Sequence, residues 1–125
     1  RFDPESGRWE ALPPVPTPRT ACAAAAARGA VYVLGGYRGR QPVATVESFD
    51  PATGKWDTLP SMPTARKWCS AAAAAGALYV FGGFNGVEEV GAAERLAAAS
   101  GEWEELPPMP APCEWGAAAA MRRSV

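Results

Sequence analysis

The sequence repeats itself, and this constrains the fold more than any other feature. Aligning Phe2 with Phe49 and Leu96 places each copy 47 residues after the one before, without a gap over two full periods. Residues of the same type then coincide in all three copies: Gly7, Gly54 and Gly101; Trp9, Trp56 and Trp103; Leu12, Leu59 and Leu106; Pro13, Pro60 and Pro107; Pro16, Pro63 and Pro110. Such a repeat requires one structural unit per period, packed against its neighbours.

A period near 47 residues allows several architectures, among them a four-stranded propeller blade and a HEAT-type pair of helices, and the interior of the repeat distinguishes between them. Residues 30–34 and 77–81 are short, rich in β-branched and aromatic side chains, and end at a Gly-Gly pair, so we predict strands buried on both faces. Further strands are predicted at residues 45–49 and 55–59. The segment between them, residues 50–54, reads Asp-Pro-Ala-Thr-Gly and is typical of a turn.

Two runs of alanine point the other way when they are read alone. Ala23 to Ala27 and Ala71 to Ala75 consist of the best helix-forming residue. Each run is too short for a stable helix, however, and Gly29 or Gly76 then connects it tightly to an obvious strand. We therefore predict that both runs are the innermost strands of their blades, where small side chains fit around a crowded axis.

Each repeat thus supplies four antiparallel strands, and we predict an all-β fold, a β-propeller fragment of about two and a half blades. Residues 1–19 would hold the outer strands of a preceding blade, residues 20–66 and 67–113 two blades, and residues 114–125 the start of the next. Propellers close with about four to eight blades, so this chain cannot close a ring. Residue 1 is also Arg rather than Met, and we expect a fragment of a longer protein.

Several motifs that recur at the same positions of the repeat resemble those of the Kelch repeat, and the resemblance covers essentially the whole chain. The motifs are the doublets Gly35-Gly36 and Gly82-Gly83, the aromatic–Trp pairs Phe2/Trp9 and Phe49/Trp56 with a weakened Leu96/Trp103, the turn at Asp50 to Gly54, the segment Leu59 to Pro63, and Pro-x-x-Arg at Pro16 to Arg19 and Pro63 to Arg66. The resemblance implies a partial Kelch β-propeller over residues 1–125. The third copy departs from the pattern, with Leu96-Ala97-Ala98-Ala99 where Asp-Pro is expected and Cys113 where Arg is expected.

Most of the repeated residues are predicted to be structural. No Gly-Lys-Ser/Thr follows the Gly doublets, so they indicate close backbone packing rather than a phosphate loop. The in-phase tryptophans are interpreted as core between blades. Arg19 precedes Glu47 by the same interval as Arg66 precedes Glu94, which predicts a fixed ion pair inside each blade. Cys22 and Cys69 are predicted to be small buried thiols.

Composition excludes several classes of function. The chain has 12 Lys+Arg against 13 Asp+Glu, scattered along its length, so we expect neither nucleic-acid binding nor a membrane surface patch. It has no His and no Cys-x-x-Cys, which removes Ser-His-Asp catalysis and the common metal sites. We expect no catalytic residue, no metal and no cofactor. Three cysteines do not suggest a disulfide framework and favour a cytoplasmic, intracellular setting.

Two segments vary between copies while their surroundings stay constant. One is Tyr37-Arg38-Gly39-Arg40 against Phe84-Asn85-Gly86-Val87, and the other is Thr20-Ala21 against Lys67-Trp68 and Glu114-Trp115. The Kelch resemblance implies that both segments line one end of the ring and bind peptides. The implied contact residues are Tyr37, Arg38, Lys67, Trp68, Phe84, Asn85, Glu114 and Trp115. The structural alternative is that the tryptophans plug the axial channel and that Tyr37 and Phe84 only pack on loops.

The resemblance implies a protein–protein interaction scaffold. Many Kelch proteins similar to this one are substrate adaptors of cullin-RING ubiquitin ligases, and these adaptors carry a BTB domain ahead of the propeller. A structural, actin-associated Kelch protein would be a closely related kind of interaction scaffold. The alternative is the propeller domain of a galactose-oxidase-like or sugar-epimerase-type enzyme whose catalytic residues lie outside this segment. Fold alone does not decide between them. An upstream BTB domain would favour the adaptor, and a blade that carries His would favour the enzyme.

Overall fold

The computed structural model describes residues 1–97 and 100–110, and those residues form strands and connections with no helix. None of them therefore forms an apolar helix long enough to cross a membrane. The predicted strand within residues 114–125 lies outside the described residues. The strands are β1 (Phe2–Asp3), β2 (Arg8–Trp9), β3 (Ala23–Ala27), β4 (Ala30–Leu34), β5 (Tyr37–Arg38), β6 (Gln41–Pro42), β7 (Val46–Asp50), β8 (Lys55–Leu59), β9 (Ser70–Ala74), β10 (Ala77–Phe81), β11 (Ala93–Ala97) and β12 (Trp103–Leu106).

Two four-stranded antiparallel sheets make up most of the fold. The first blade has the order β3-β4-β7-β8, and the second has the equivalent order β9-β10-β11-β12. The register repeats as well: Tyr32 lies opposite Ala25 and Ser48, while Tyr79 lies opposite Ala72 and Arg95. The predicted all-β fold of four-stranded antiparallel propeller blades is confirmed. Strands β1 and β2 pair separately as a short hairpin, and so do β5 and β6.

The alanine runs are strands, as predicted, because each forms one arm of a tight hairpin. The turn between β3 and β4 consists of Arg28 and Gly29, with φ of 49° and 76°. The turn between β9 and β10 consists of Ala75 and Gly76, with φ of 48° and 75°. Two consecutive positive φ angles characterise the hairpin turns whose twist matches that of the paired strands. Ala75 therefore belongs to the turn, and β9 begins one residue earlier than the alanine run, at Ser70.

The core lies between the two blades. Leu34 and Val46 of the first blade and Val80 of the second are fully buried, and Met62, in the connection between the blades, packs in the same cluster. The alanines of β3 and β9 are small enough to let these inner strands lie against each other. The other face of β4 is more open, since Val31 is 37% exposed. The prediction that both faces of this strand are buried is therefore wrong: no described blade covers that side.

Buried ion pairs fix each blade at one end, as predicted. Arg66 Nη2 lies 2.5 Å from Glu94 Oε1, and both side chains are fully buried. Arg66 Nη1 also donates to the carbonyl oxygens of Gly82 at 2.9 Å and Ala92 at 3.0 Å. In the first blade Arg19 pairs with Glu47 and donates to the equivalent carbonyls. Each arginine thus ties the segment before the inner strand to the backbone on both sides of the loop that follows the glycine doublet.

Two of the three in-phase tryptophans, Trp56 and Trp103, join neighbouring repeats through their indole N–H groups. Trp56 Nε1 donates to the carbonyl oxygen of Pro13 at 3.0 Å, and Trp103 Nε1 donates to that of Pro60 at 2.8 Å. Both indoles are half-buried, whereas Trp9 is 79% exposed. Trp103 packs against the hydrophobic core, which confirms its interpretation as core between blades, whereas that interpretation is wrong for the exposed Trp9.

The two cysteines differ although they occupy equivalent positions. Cys69 is buried between the blades, as predicted, and burial raises its pKa to about 11. Cys22 is exposed, so the prediction of a buried thiol is wrong there. It lies just before β3 on the side of the first blade that no described strand covers. Cys113 lies outside the described residues.

This difference predicts selective alkylation. At pH 8 a thiol with a pKa of about 11 is only about one-thousandth thiolate, and the thiolate is the reactive form. We expect iodoacetamide to modify Cys22 rapidly, while Cys69 reacts at a measurable rate only as the pH rises well above 9 or after denaturation. Peptide mapping by mass spectrometry over a time course measures both rates. Equal rates at pH 8 in the folded protein would contradict the burial of Cys69.

Candidate functional site

The two variable segments lie side by side at one end of the blades, which we call the loop end. In the first blade Tyr37 N donates to the carbonyl oxygen of Thr20 at 2.8 Å, and Thr20 N donates to that of Tyr37 at 3.1 Å. Lys67 and Phe84 make the same reciprocal pair in the second blade, at 3.0 and 2.8 Å. Each segment that precedes an inner strand is therefore held against the loop that follows the glycine doublet of its own blade.

Backbone hydrogen bonds also join the two blades at the loop end. Trp68 N donates to the carbonyl oxygen of Ala21 at 2.8 Å, and Gly36 N donates to that of Arg66 at 2.8 Å. The second bond involves the residue directly before Lys67 and the residue directly before Tyr37. Tyr37 of the first blade and Lys67 of the second are consequently neighbours, although they belong to different repeats.

Three aromatic rings surround the ammonium group of Lys67. Its Nζ lies 4.1 Å from the ring centroid of Tyr37, 4.1 Å from that of Trp68 and 5.6 Å from that of Phe84. All of these distances are within the range of a cation–π interaction. The rings of Trp68 and Phe84 also contact each other, with centroids 6.2 Å apart. We call Tyr37, Trp68 and Phe84 the aromatic cage; these rings and Lys67 are half-buried, so the cage is open to solvent.

A shallow, open groove lies beside the cage on the first blade. Tyr37 lines both the groove and the cage, and the exposed Arg38 lines the groove next to it. The short hairpin of β5 and β6 holds this pair, because Tyr37 lies opposite Pro42 and Arg38 opposite Gln41. The remaining lining residues are Pro18, Arg19, Thr20 and Gly39.

Asn85 organises its own loop. Its Oδ1 accepts hydrogen bonds from the backbone N–H groups of Val87 at 2.9 Å and Glu88 at 3.0 Å. Its backbone N–H donates to the carbonyl oxygen of Glu88 at 3.2 Å, so the side chain stabilises the turn that presents Val87. Val87 is 86% exposed at the tip of that turn. It is a candidate contact residue that comparing the copies of the repeat did not identify. An apolar residue directly after Asn-Gly was the available signal.

The structure brings four of the predicted contact residues together and leaves two at the margins. Tyr37, Lys67, Trp68 and Phe84 form one cluster, with Arg38 and Asn85 in the flanking loops. Glu114 and Trp115 lie outside the described residues. The cluster presents aromatic faces and one ammonium group, which can make apolar and cation–π contacts with a ligand. Within residues 1–97 and 100–110 no group of three or more His, Cys, Asp or Glu side chains is placed to hold a metal ion.

The repeat that builds this end of the molecule matches a known family. The family model described as the Kelch motif matches residues 18–63 and again residues 65–110. Each match begins just before the arginine of a buried ion pair and spans all four strands of one blade. The two glycine doublets, the pairs Phe49/Trp56 and Leu96/Trp103, and the ion-pair arginines fall inside the two matches. Because the matches together cover well over half of the sequence, this chain belongs to the Kelch-repeat family.

Proposed function

We propose that the loop end is the surface by which this chain binds a protein partner, and that the full protein is a substrate adaptor of a cullin-RING ubiquitin ligase. Kelch repeats generally bind protein partners, which supports the first part. The observation that carries the proposal is the cluster of Tyr37, Lys67, Trp68 and Phe84, assembled where the two repeats differ from each other. The adaptor role, with a BTB domain and a cytoplasmic location, extends the proposal to the whole protein.

The cluster has the composition of an interface hot spot. Tryptophan and tyrosine bury a large area while losing few rotamers, and both are enriched among the residues that dominate binding energy. The frame beneath them is rigid, because Arg66 is hydrogen-bonded on both sides of the loop that carries Phe84. A surface fixed in advance loses less entropy when a partner binds. Side chains in the flanking loops, such as Arg38, would set charge preference and association rate.

The residue types present in this chain also favour a binding scaffold over an enzyme. The chain contains no His, and the described residues provide no metal-binding cluster. The enzyme alternative has no supporting observation at the loop end. We therefore propose that this segment contributes recognition and that it has no chemical step of its own.

Removing either large ring of the cage should weaken partner binding without unfolding the protein. We expect Trp68→Ala and Phe84→Ala, each in the full protein, to lower the affinity by at least about 1–2 kcal/mol, the range of a moderate hot spot. The partner is first recovered by pull-down with the full protein, and calorimetry then measures the affinity of each variant. Circular dichroism is the folding control. Lys55→Ala, at an exposed residue of β8 away from the loop end, should leave the affinity unchanged.

The same pull-down tests the adaptor role. A cullin should be recovered with the full protein, and the Trp68→Ala variant should retain the cullin while it loses the partner. Unchanged partner affinity in both ring variants would reject the loop end as the site. A partner recovered without any cullin would reject the ligase role and leave a binding scaffold.

A further inference from the structure

We propose that the aromatic cage is a cation-binding site for a lysine-type alkylammonium side chain of a partner protein, and that Lys67 is its resident occupant, which such a ligand displaces. The identity of the ligand as a partner side chain rests on the proposed function. The binding of a cation by the cage does not, and it can be tested with a small molecule.

The geometry of the cage is that of a site for an ammonium group. Two ring centroids lie 4.1 Å from Lys67 Nζ and the third lies 5.6 Å away, so that rings from both blades approach the same positive charge. The negative face of an aromatic ring attracts a cation, and sets of such rings are used to recognise methylated lysine and quaternary ammonium ligands. Within the described residues, no carboxylate forms an ion pair with Lys67. Its charge is therefore held mainly by the rings.

The fold does not require the cage. The first blade has Thr20 and Ala21 at the positions equivalent to Lys67 and Trp68, and it adopts the same backbone conformation there. Ala21 has a φ of 55° and Trp68 a φ of 56°. The left-handed conformation is therefore a feature of the repeat and does not depend on the tryptophan. Tryptophan thus occupies a position where the repeat accepts alanine, which favours a role in recognition over one in folding.

The resident lysine can be exchanged. Its side chain is half-buried and reaches the rings through four flexible methylene groups, so it can swing into solvent when another ammonium enters. Two exposed acidic residues, Glu88 and Glu89, lie in the loop that begins at Phe84, and Glu89 pairs with Phe84 through the backbone. Their charge favours the approach of a cationic partner on that side of the cage.

The test removes the resident and offers a substitute. The probe is Nα-acetyl-trimethyllysine amide, titrated into the full protein in a calorimeter, and the side-chain NMR signals of Trp68 locate the site in those variants that keep this residue. We expect Lys67→Ala to bind the probe at least about tenfold more tightly than the wild type, because the cage is then empty. The double variant Lys67→Ala/Trp68→Ala should lose this binding, and Lys67→Gln provides a second vacant cage if Lys67→Ala does not fold.

Two controls separate a cation site from an apolar one. Lys55→Ala removes an exposed lysine on β8, away from the loop end, and should bind the probe no better than the wild type. The neutral carbon isostere of the probe should bind Lys67→Ala at least about tenfold more weakly than the probe itself. Equal probe affinity in the wild type and in the folded Lys67 variants, or equal affinity for the isostere, would overturn the proposal. If the probe binds as expected but the pull-down recovers no protein partner, the cation site is upheld and the proposed function fails.

Discussion

Replacing Arg66 by methionine is expected to destabilise the protein by about 3–5 kcal/mol, which is a large share of the stability of a small domain. The substitution leaves the carboxylate of Glu94 fully buried and without its cation. Thr64 Oγ1 still donates to Glu94 Oε2 at 2.9 Å, but a hydroxyl group does not replace the lost positive charge. The carbonyl oxygens of Gly82 and Ala92 would lose their bonds to the guanidinium at the same time. Chemical denaturation followed by circular dichroism measures the loss.

A surface pair of the same residue types is the matched control. Arg95 pairs with Glu104 across β11 and β12, where both side chains are at least a third exposed. Arg95→Met should therefore change the free energy of unfolding by only about 0–1 kcal/mol. Arg66→Met combined with Glu94→Leu should recover most of the loss, because an apolar pair of similar volume can replace a buried ion pair. Similar losses for Arg66→Met and Arg95→Met would contradict the distinct role of the buried pair.

The repeat made most of the fold predictable from sequence. Four strands per period followed from β-branched runs that end at glycine doublets, and the ion pair of Arg66 with Glu94 followed from charges that recur in register. What could not be read from the repeat was the difference between equivalent positions. Cys22 and Cys69 have the same place in the sequence pattern, yet only Cys69 lies between two described blades. Burial there depends on the neighbouring blade, which a position within one repeat does not specify.

The site was predictable as segments but not as an arrangement. Variation between copies identified the loops that carry Tyr37 and Phe84 and the segment that carries Lys67 and Trp68. It did not predict that Lys67 lies among three rings, since Tyr37 belongs to the preceding blade. That contact depends on the way in which the blades meet, through the hydrogen bonds from Trp68 N to Ala21 and from Gly36 N to Arg66. Asn85 was predicted as a contact residue, but its Oδ1 stabilises the turn of its own loop.

The approach of backbone segments beneath the cage predicts a second large effect. Gly83 has a φ of +97°, and a Cβ at this residue would lie 2.5 Å from the carbonyl oxygen of Lys67 and 3.1 Å from the backbone nitrogen of Cys69. Neither atom can move without shifting the segment before β9. We expect Gly83→Ala to combine backbone strain with this clash and to cost about 3 kcal/mol of stability, as measured by chemical denaturation.

Gly54 provides the matched control, because it isolates the backbone contribution. Its φ is +72°, yet a Cβ there would meet nothing within 4 Å, so Gly54→Ala should cost only about 1 kcal/mol. The two variants should also differ at the loop end. Displacing the carbonyl oxygen of Lys67 moves the residue whose ammonium fills the cage, so Gly83→Ala should shift the NMR signals of Trp68, whereas Gly54→Ala should not. Equal stability losses, or an unshifted Trp68 in folded Gly83→Ala, would mean that the chain beneath the cage adapts to a side chain. The close approach of Gly83 to Lys67 would then not be what positions the cage.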